Sequence, residues 1–360
     1  MSKKYSFKNQ LCLGLQIRLI TSKVIKTWEG EKMRETYENI YLEELSLPNS
    51  PLKYLNFYII KGKDKSMIID TGFNCEETKK HMMEIFKELD LKPENTILFL
   101  THLHSDHTGL ATYFQDMGLT IYISKIDGDL LNGSVEKSGP MWSGTIQRAM
   151  WQGLEEEQLD IEDNPGFKFR PISHINFVPA IPGEYIRIGE YNFEIVDLKG
   201  HTPGMVGLYE KKHKILFCGD HILGKITPNI TFWGFEYGDM LGKYLENLKY
   251  VYNMDIDYLF SSHRFLIEDH RIRINELCVH HQERLDEIKA VLRKFGTCTV
   301  RKVTKELHWN IKSKGWDDFP KSQKWFAAGE AHAHLEHLRA LGEVVMEEKN
   351  GVLYYKIHLT

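Results

Sequence analysis

The segment Thr101-His102-Leu103-His104-Ser105-Asp106-His107-Thr108-Gly109 gathers four metal-ligand side chains within six residues. His102 and His104 stand two apart, so in an extended loop their rings point the same way and can share one cation. Asp106 and His107 are adjacent, where the chain turns into its next helix, and so can face a second cation beside the first. Two ions about 3.5–4 Å apart would hold and polarise a bridging hydroxide. Nitrogen and carboxylate donors suit zinc first, with iron or manganese also compatible. Four side chains do not fill two sites, so the pattern demands more ligands downstream.

Three candidates follow, each directly after a strand-like run. His201 sits in Gly200-His201-Thr202-Pro203-Gly204, Asp220 in Cys218-Gly219-Asp220-His221, and His263 in Ser261-Ser262-His263. Upstream, Asp70 ends Ile68-Ile69-Asp70, where its carboxylate can hold a ligand histidine from behind. Asp70 and Asp106 are thus the candidate catalytic carboxylates, with Asp106 beside the nucleophile as a proton shuttle. No serine or cysteine nucleophile is needed, and no G-x-S-x-G elbow occurs. Cys218 reads as a small buried residue, and His221 should point away from the metals.

The elements that position these residues begin at about Tyr54. Apolar runs at 55–60 and 66–70 read as buried strands, and 76–89 has helical spacing. A strand at 96–100 leads into the histidine loop, then come a helix at 109–115 and a strand at 120–124. Residues from about 130 to 182 are irregular and rich in Gly, Trp and Met, as in a helical insertion or lid. Strands resume at 185–188, 191–198, 206–209 and 214–218. A helix at 240–252 and a strand at 258–261 complete two sheets covered by outer helices. After about residue 275 the pattern changes. Helices at 276–295, 299–307 (Thr299 as N-cap) and 320–341 (Gly342 following) precede strands at 343–347 and 352–358. Asn350-Gly351 between those strands is a hairpin signal. Three helices and a hairpin outline a winged helix.

Asp70, the H-x-H-x-D-H run, His201, Asp220 and His263 resemble, in order, the five motifs of the metallo-β-lactamase superfamily, over roughly residues 50–270. The resemblance implies an α+β fold, an αββα sandwich with the metals at one edge between the sheets. It implies that His102, His104 and His201 hold the first ion, that Asp106, His107 and His263 hold the second, and that Asp220 bridges. Ser262 stands where the last motif usually has Gly, so the turn at His263 is expected to differ. The domains are then 1–275, catalytic with its insertion, and 276–360, winged-helix-like. The segments 269–285 and 331–338 are similar to the junction and tail shared by lactamase-like hydrolases and β-lactamase-like endoribonucleases.

Only about forty residues separate Asp220 from His263, too few for the inserted domain of β-CASP nucleases. His104 stands where flavodiiron oxidoreductases have Glu. The expected reaction is hydrolysis of a small ester, thioester or lactone. A single-stranded RNA phosphodiesterase and a mononuclear iron dioxygenase are the alternatives. Phe232 and Trp233, after Asp220, are the substrate-binding candidates, ahead of Trp142 and Trp151. Glu330, His334 and His337 share a helical face and should pack the tail helix onto the catalytic part.

A chain of 360 residues with 42% hydrophobic residues buries a core without disulfides. A net charge of −4 excludes a dominant field for nucleic acid or membrane. Five scattered cysteines read as reduced thiols, and the apolar run 11–17 after Lys3 and Lys4 is too short for a leader or span. The expectation is a cytoplasmic protein with a small-molecule substrate and no membrane partner. RNA remains an alternative partner, and a homodimer is compatible.

Overall fold

The first sheet carries the strands that end at the histidine loop. In the computed structural model, which describes residues 33–264 and 266–358, its order is β1 (Met33–Tyr37), β2 (Ile40–Ser46), β3 (Tyr54–Ile60), β4 (Ser66–Ile69), β5 (Thr96–Phe99), β6 (Thr120–Ile123) and β7 (Val178–Pro179). β8 (Tyr185–Ile188), β9 (Tyr191–Asp197), β10 (Val206–Glu210), β11 (Ile215–Gly219) and β12 (Tyr258–Ser261) form the second, in the order β12-β11-β10-β9-β8. The readings of Lys3, Lys4, Cys12 and the run 11–17 lie outside the described residues.

Alternation along the strands makes the layers. On β3, Tyr58 and Ile60 point inward and meet Phe193, Phe217 and Phe260 of the second sheet. Leu55, Phe57 and Ile59 point outward under helices. A strand buried on both faces reads as a continuous apolar run, which is why 55–60 shows no period of two. The helices are α1 (Glu76–Glu88), α2 (Ser105–Thr108), α3 (Ala111–Asp116), α4 (Lys125–Asn132), α5 (Pro140–Gln152), α6 (Pro165–Lys168) and α7 (Met240–Tyr252). The outer residues of the first sheet share a core with Met82, Ile85 and Phe86 of α1 and Phe114 of α3. The second sheet is covered by Leu241, Tyr244 and Leu248 of α7. This is the αββα sandwich.

The segment read as an insertion contains α4, α5, α6 and the edge strand β7, and begins at Lys125. β1 and β2 carry no clear sequence signal. Glu43 on β2 is buried against His81 (2.8 Å) and breaks the apolar alternation that marks a half-buried strand.

α8 (His270–Phe295), β13 (Cys298–Thr299), α9 (Val300–Glu306), α10 (Lys321–Ala340), β14 (Val344–Lys349) and β15 (Val352–Ile357) complete the chain, with sheet order β13-β15-β14. The expected division at 276 falls inside α8, whose first turn is capped by Asp269. Thr299 Oγ1 accepts from the Lys302 N–H as N-cap. Asn350 and Gly351 both have positive φ, as a two-residue hairpin turn requires. Among the described residues no helix is long and apolar enough to cross a membrane.

Candidate metal centre

All seven expected ligand side chains converge at one edge between the sheets, on loops that leave strand ends. The first group is His102, His104 and His201. His104 Nδ1 lies 3.1 Å from His102 Nε2 and 2.9 Å from His201 Nε2. The second is Asp106, His107 and His263, with His263 Nε2 3.3 Å from both Asp106 Oδ2 and His107 Nε2. Asp220 lies between the two groups. Its Oδ1 is 3.6 Å from His107 Nε2 and 3.4 Å from His263 Nε2, and its Oδ2 is 3.7 Å from His201 Nε2.

Four of the five histidines present Nε2 because Nδ1 is already committed. His201 Nδ1 donates to the Asn229 carbonyl oxygen and His263 Nδ1 to that of Tyr54, both at 2.9 Å. His107 Nδ1 donates to Asp70 Oδ2 at 2.8 Å. The Thr101 hydroxyl has one proton, which goes to Asp70 at 2.9 Å, so it accepts from His102 Nδ1 at 3.0 Å. Each such bond fixes the tautomer and leaves an Nε2 lone pair aimed at the site. Asp70 therefore acts through His107 and His102. Its contacts make it a positioning residue, the role read in the sequence for a carboxylate that holds a ligand histidine from behind. Its φ of +64° is a left-handed conformation of the kind held by surrounding structure at functional sites.

The donor set fits a pair of divalent cations. Asp220 Oδ1 is buried and has no hydrogen-bond partner. Three groups, His102–His104–His201, His102–His107–Asp220 and Asp106–His107–His263, each have their donor atoms within 4.8 Å of one another. Burial and then His201 push His104 down to about 3. Burial also pulls on His107, but Asp70, Asp106 and Asp220 outweigh it and hold that imidazole well above its usual range. Asp106 is opposed by burial yet drawn down to about 2 by His107 and His263. The ionised carboxylates and the neutral His104 are states a divalent cation binds, and a bound cation would displace the extra proton that His107 carries without it.

His263 is seated despite the Ser262 departure. The Asn56 N–H donates to the Ser262 carbonyl oxygen at 2.7 Å, Asn56 Nδ2 donates to that of Ser261 at 2.9 Å, and the Ser262 N–H donates to that of Gly219 at 3.2 Å. His221 is fully buried with its ring against Tyr244 (5.2 Å), outside the three groups. Cys218 is buried and its thiol is pushed up to about 12, chiefly by burial. Trp233 stays at the site. Its ring stacks beside His104 (6.1 Å), its indole N–H donates to the His201 carbonyl oxygen at 3.1 Å, and Arg148 Nη1 donates to its own carbonyl oxygen at 2.9 Å. Phe232 does not. It is 2% exposed with its ring 3.8 Å from that of His332, so an aromatic expected to meet substrate packs on α10 instead. Trp142 and Trp151 also pack, against Phe167 and Phe235. The insertion reaches the site edge where the Ser105 hydroxyl donates to the Pro165 carbonyl oxygen at 3.3 Å.

Sequence reasoning missed Asp127. Its Oδ2 accepts from the Leu103 N–H (3.0 Å), between His102 and His104, and from the Thr202 hydroxyl (2.6 Å), beside His201. Oδ1 accepts from the Gly204 N–H at 2.7 Å. A Cβ at Gly204 would come within 2.6 Å of that oxygen, so only glycine permits the approach. One buried carboxylate thus ties together both loops of the first group. Asp127→Ala is expected to cost roughly 3 kcal/mol or more, because three buried donors lose their acceptor. It should also weaken the first metal site about tenfold or more. Urea unfolding and chelator competition check the two effects, and a variant as stable and as tight as the parent would refute the assignment. Burial pushes Asp127 up to about 7 against the pull of its three donors, from an ordinary value of 3.8. The folded state then holds a proton the unfolded chain has lost, so this contribution to stability falls as pH rises from about 4 to 7.

A family model of the Metallo-beta-lactamase superfamily matches residues 53–263. The chain belongs to this superfamily. Within it, a hydroxyacylglutathione hydrolase, GloC, of Haemophilus influenzae is 32% identical over 154 residues, which are 42% of this chain and 59% of that protein. The acyl-coenzyme A thioesterase MBLAC2 of Gallus gallus is 21% identical over 174 residues, 46% of this chain and 56% of its own. The chain thus matches under two thirds of the length of either relative. A solved metallo-beta-lactamase family protein of Thermus thermophilus has the same fold, with a TM-score of 0.74 at 24% identity over 89% of this chain and 99% of its own.

Proposed function

We propose that the protein is a binuclear metal-dependent hydrolase of a small ester or thioester, with zinc as the resident metal. The observation that carries this reading is Asp220, placed so that its two oxygens face the two ligand groups. A pair of divalent ions held by these residues would supply hydroxide near neutral pH and polarise a carbonyl. The chain's own residues do the rest. Asp70 and Thr101 hold His107 and His102 in the donor tautomer. Asp106 is an ionised acceptor beside His107 and His263, and Trp233 provides an apolar wall beside His104.

Relatives that hydrolyse glutathione and coenzyme A thioesters support a thioester as substrate. The tail supports a small molecule over RNA. Three basic residues of its third helix are already paired, Lys321 with Asp163 at 3.1 Å, Lys324 with Glu157 at 2.5 Å and Arg339 with Glu336 at 2.7 Å. Ion-paired cations contribute little counter-ion release on a phosphate backbone. We read the tail from 276 onward as a winged-helix-like unit with a structural role, and the protein as cytoplasmic.

The test is metal analysis of the purified protein, followed by a panel of a glutathione thioester, short and long acyl-coenzyme A, a lactone and labelled single-stranded RNA. About two zinc per chain and a thioester kcat/KM of about 10⁴ M⁻¹s⁻¹ or more are expected. RNA cleavage with no thioester turnover, or one iron per chain with oxygen consumption, would replace the proposal.

A further inference from the structure

His201 is held from behind by two contacts, and both partners lie on the loop 229–233. Its Nδ1–H donates to the Asn229 carbonyl oxygen at 2.9 Å, and its own carbonyl oxygen accepts from the Trp233 indole at 3.1 Å. This loop rests on α10. Asn229 Nδ2 donates to the Phe326 carbonyl oxygen and to Glu330 Oε2, each at 3.2 Å. The Phe232 N–H donates to the Gly329 carbonyl oxygen at 3.1 Å. A Cβ at Gly329 would come within 2.0 Å of Thr231 Oγ1, so loop and helix meet only because residue 329 has no side chain. Glu330 is buried, with its second oxygen 3.4 Å from Arg284 Nε of α8.

We propose that Glu330 is a positioning residue for the first metal site, and that the C-terminal helix sets His201 by clamping the loop 229–233. The inference rests on the metal reading above. The relay is short: Glu330 to the Asn229 side chain, the Asn229 backbone carbonyl to His201 Nδ1, and His201 Nε2 to the site. The first two links are hydrogen bonds between buried or half-buried groups, where a lost partner is not replaced freely by water. A histidine ligand released from its Nδ1 acceptor loses both its ring orientation and its fixed tautomer. The helix is thus part of the metal centre without offering it a ligand. Behind it, Glu330 Oε1 and Arg284 Nε form an ion pair, with no hydrogen bond, that keeps the carboxylate turned toward Asn229.

The experiment is cobalt(II) titration of the metal-free full-length protein, with ¹⁵N imidazole spectra of the same samples before metal is added. Wild type is expected to fill two sites, with His201 as the Nδ1–H tautomer. Glu330→Ala and Asn229→Leu are expected to weaken one site by about 10- to 100-fold, leave the other unchanged, and give a mixed His201 tautomer. Glu330→Gln keeps an acceptor for Asn229 and should restore affinity to within about threefold of wild type. The Leu substitution lies off the helix, so it tests the same contact even where Glu330→Ala does not fold. Two undisturbed sites and an unchanged His201 tautomer in both Glu330→Ala and Asn229→Leu would overturn the proposal, as would Glu330→Gln losing as much as Glu330→Ala. A wild type that binds fewer than two ions would fail the metal reading instead, while the metal-free spectra still decide the clamp.

Discussion

Asp220→Ala is expected to bind about one divalent ion per chain instead of two, and to lower kcat/KM by roughly 10³-fold or more, about 4 kcal/mol at the transition state. The reason lies in where the two oxygens stand. Oδ1 faces His107 and His263 while Oδ2 faces His201, so a single carboxylate closes both ligand groups. Three neutral imidazoles on one side and two imidazoles with one carboxylate on the other do not balance the charge of two divalent cations. Asp220 would add a second negative charge between the two groups. Burial opposes its ionisation, but His263 and His107 prevail and hold it below the usual carboxylate range. Asp220→Asn retains the shape and one oxygen but not the charge, and should fall between Ala and wild type in metal content. Measuring zinc per chain together with thioester turnover checks both effects. An alanine variant that retains two ions and its rate would show that the two groups do not share this residue, and the binuclear reading would go with it.

Much of this site is legible in the sequence because its ligands sit at strand ends in short local patterns. A strand that stops at Phe99 must deliver His102 and His104 to the sheet edge, and the turn into α2 must swing Asp106 and His107 beside them. The C-terminal caps and hairpin are legible for the same reason, since Thr299, Gly342 and Asn350-Gly351 each act on immediate neighbours. What is not legible is held across long separations. Asp127 reaches Thr202 and Gly204 over 75 and 77 residues, and Glu330 reaches Asn229 over 101. Asp127 also sits in an ordinary-looking turn, where Ser124 caps its own N–H and conceals that the carboxylate is turned elsewhere. Phe232 reads as a pocket residue because it neighbours Trp233 after a ligand strand. Its ring instead meets His332 of α10, while that of Trp233 lies beside His104.

The same geometry sharpens the role of Asp106, and yields the second large effect. Asp106→Asn is expected to lower kcat by about 10²-fold and to weaken the second metal site, while leaving the first intact. Its Oδ2 stands 3.3 Å from His263 Nε2 and 3.7 Å from His107 Nε2, and the residue remains 9% exposed. Those histidines draw its carboxyl down to about 2 from 3.8. A depressed acid contributes to stability above its unfolded value and loses that contribution as pH falls through the folded one, here between about 4 and 2. Across pH 5–9 Asp106 therefore keeps one charge state. A group so acidic is poorly matched to taking a proton at neutral pH, which sets a fixed anionic, water-orienting role against the shuttle that its position in the sequence suggests. The pH–rate profile separates the two roles. As a fixed anion, Asp106→Asn lowers the plateau and leaves the acid limb where it was. If the acid limb disappears in the variant, Asp106 titrates in the working range and the shuttle is restored.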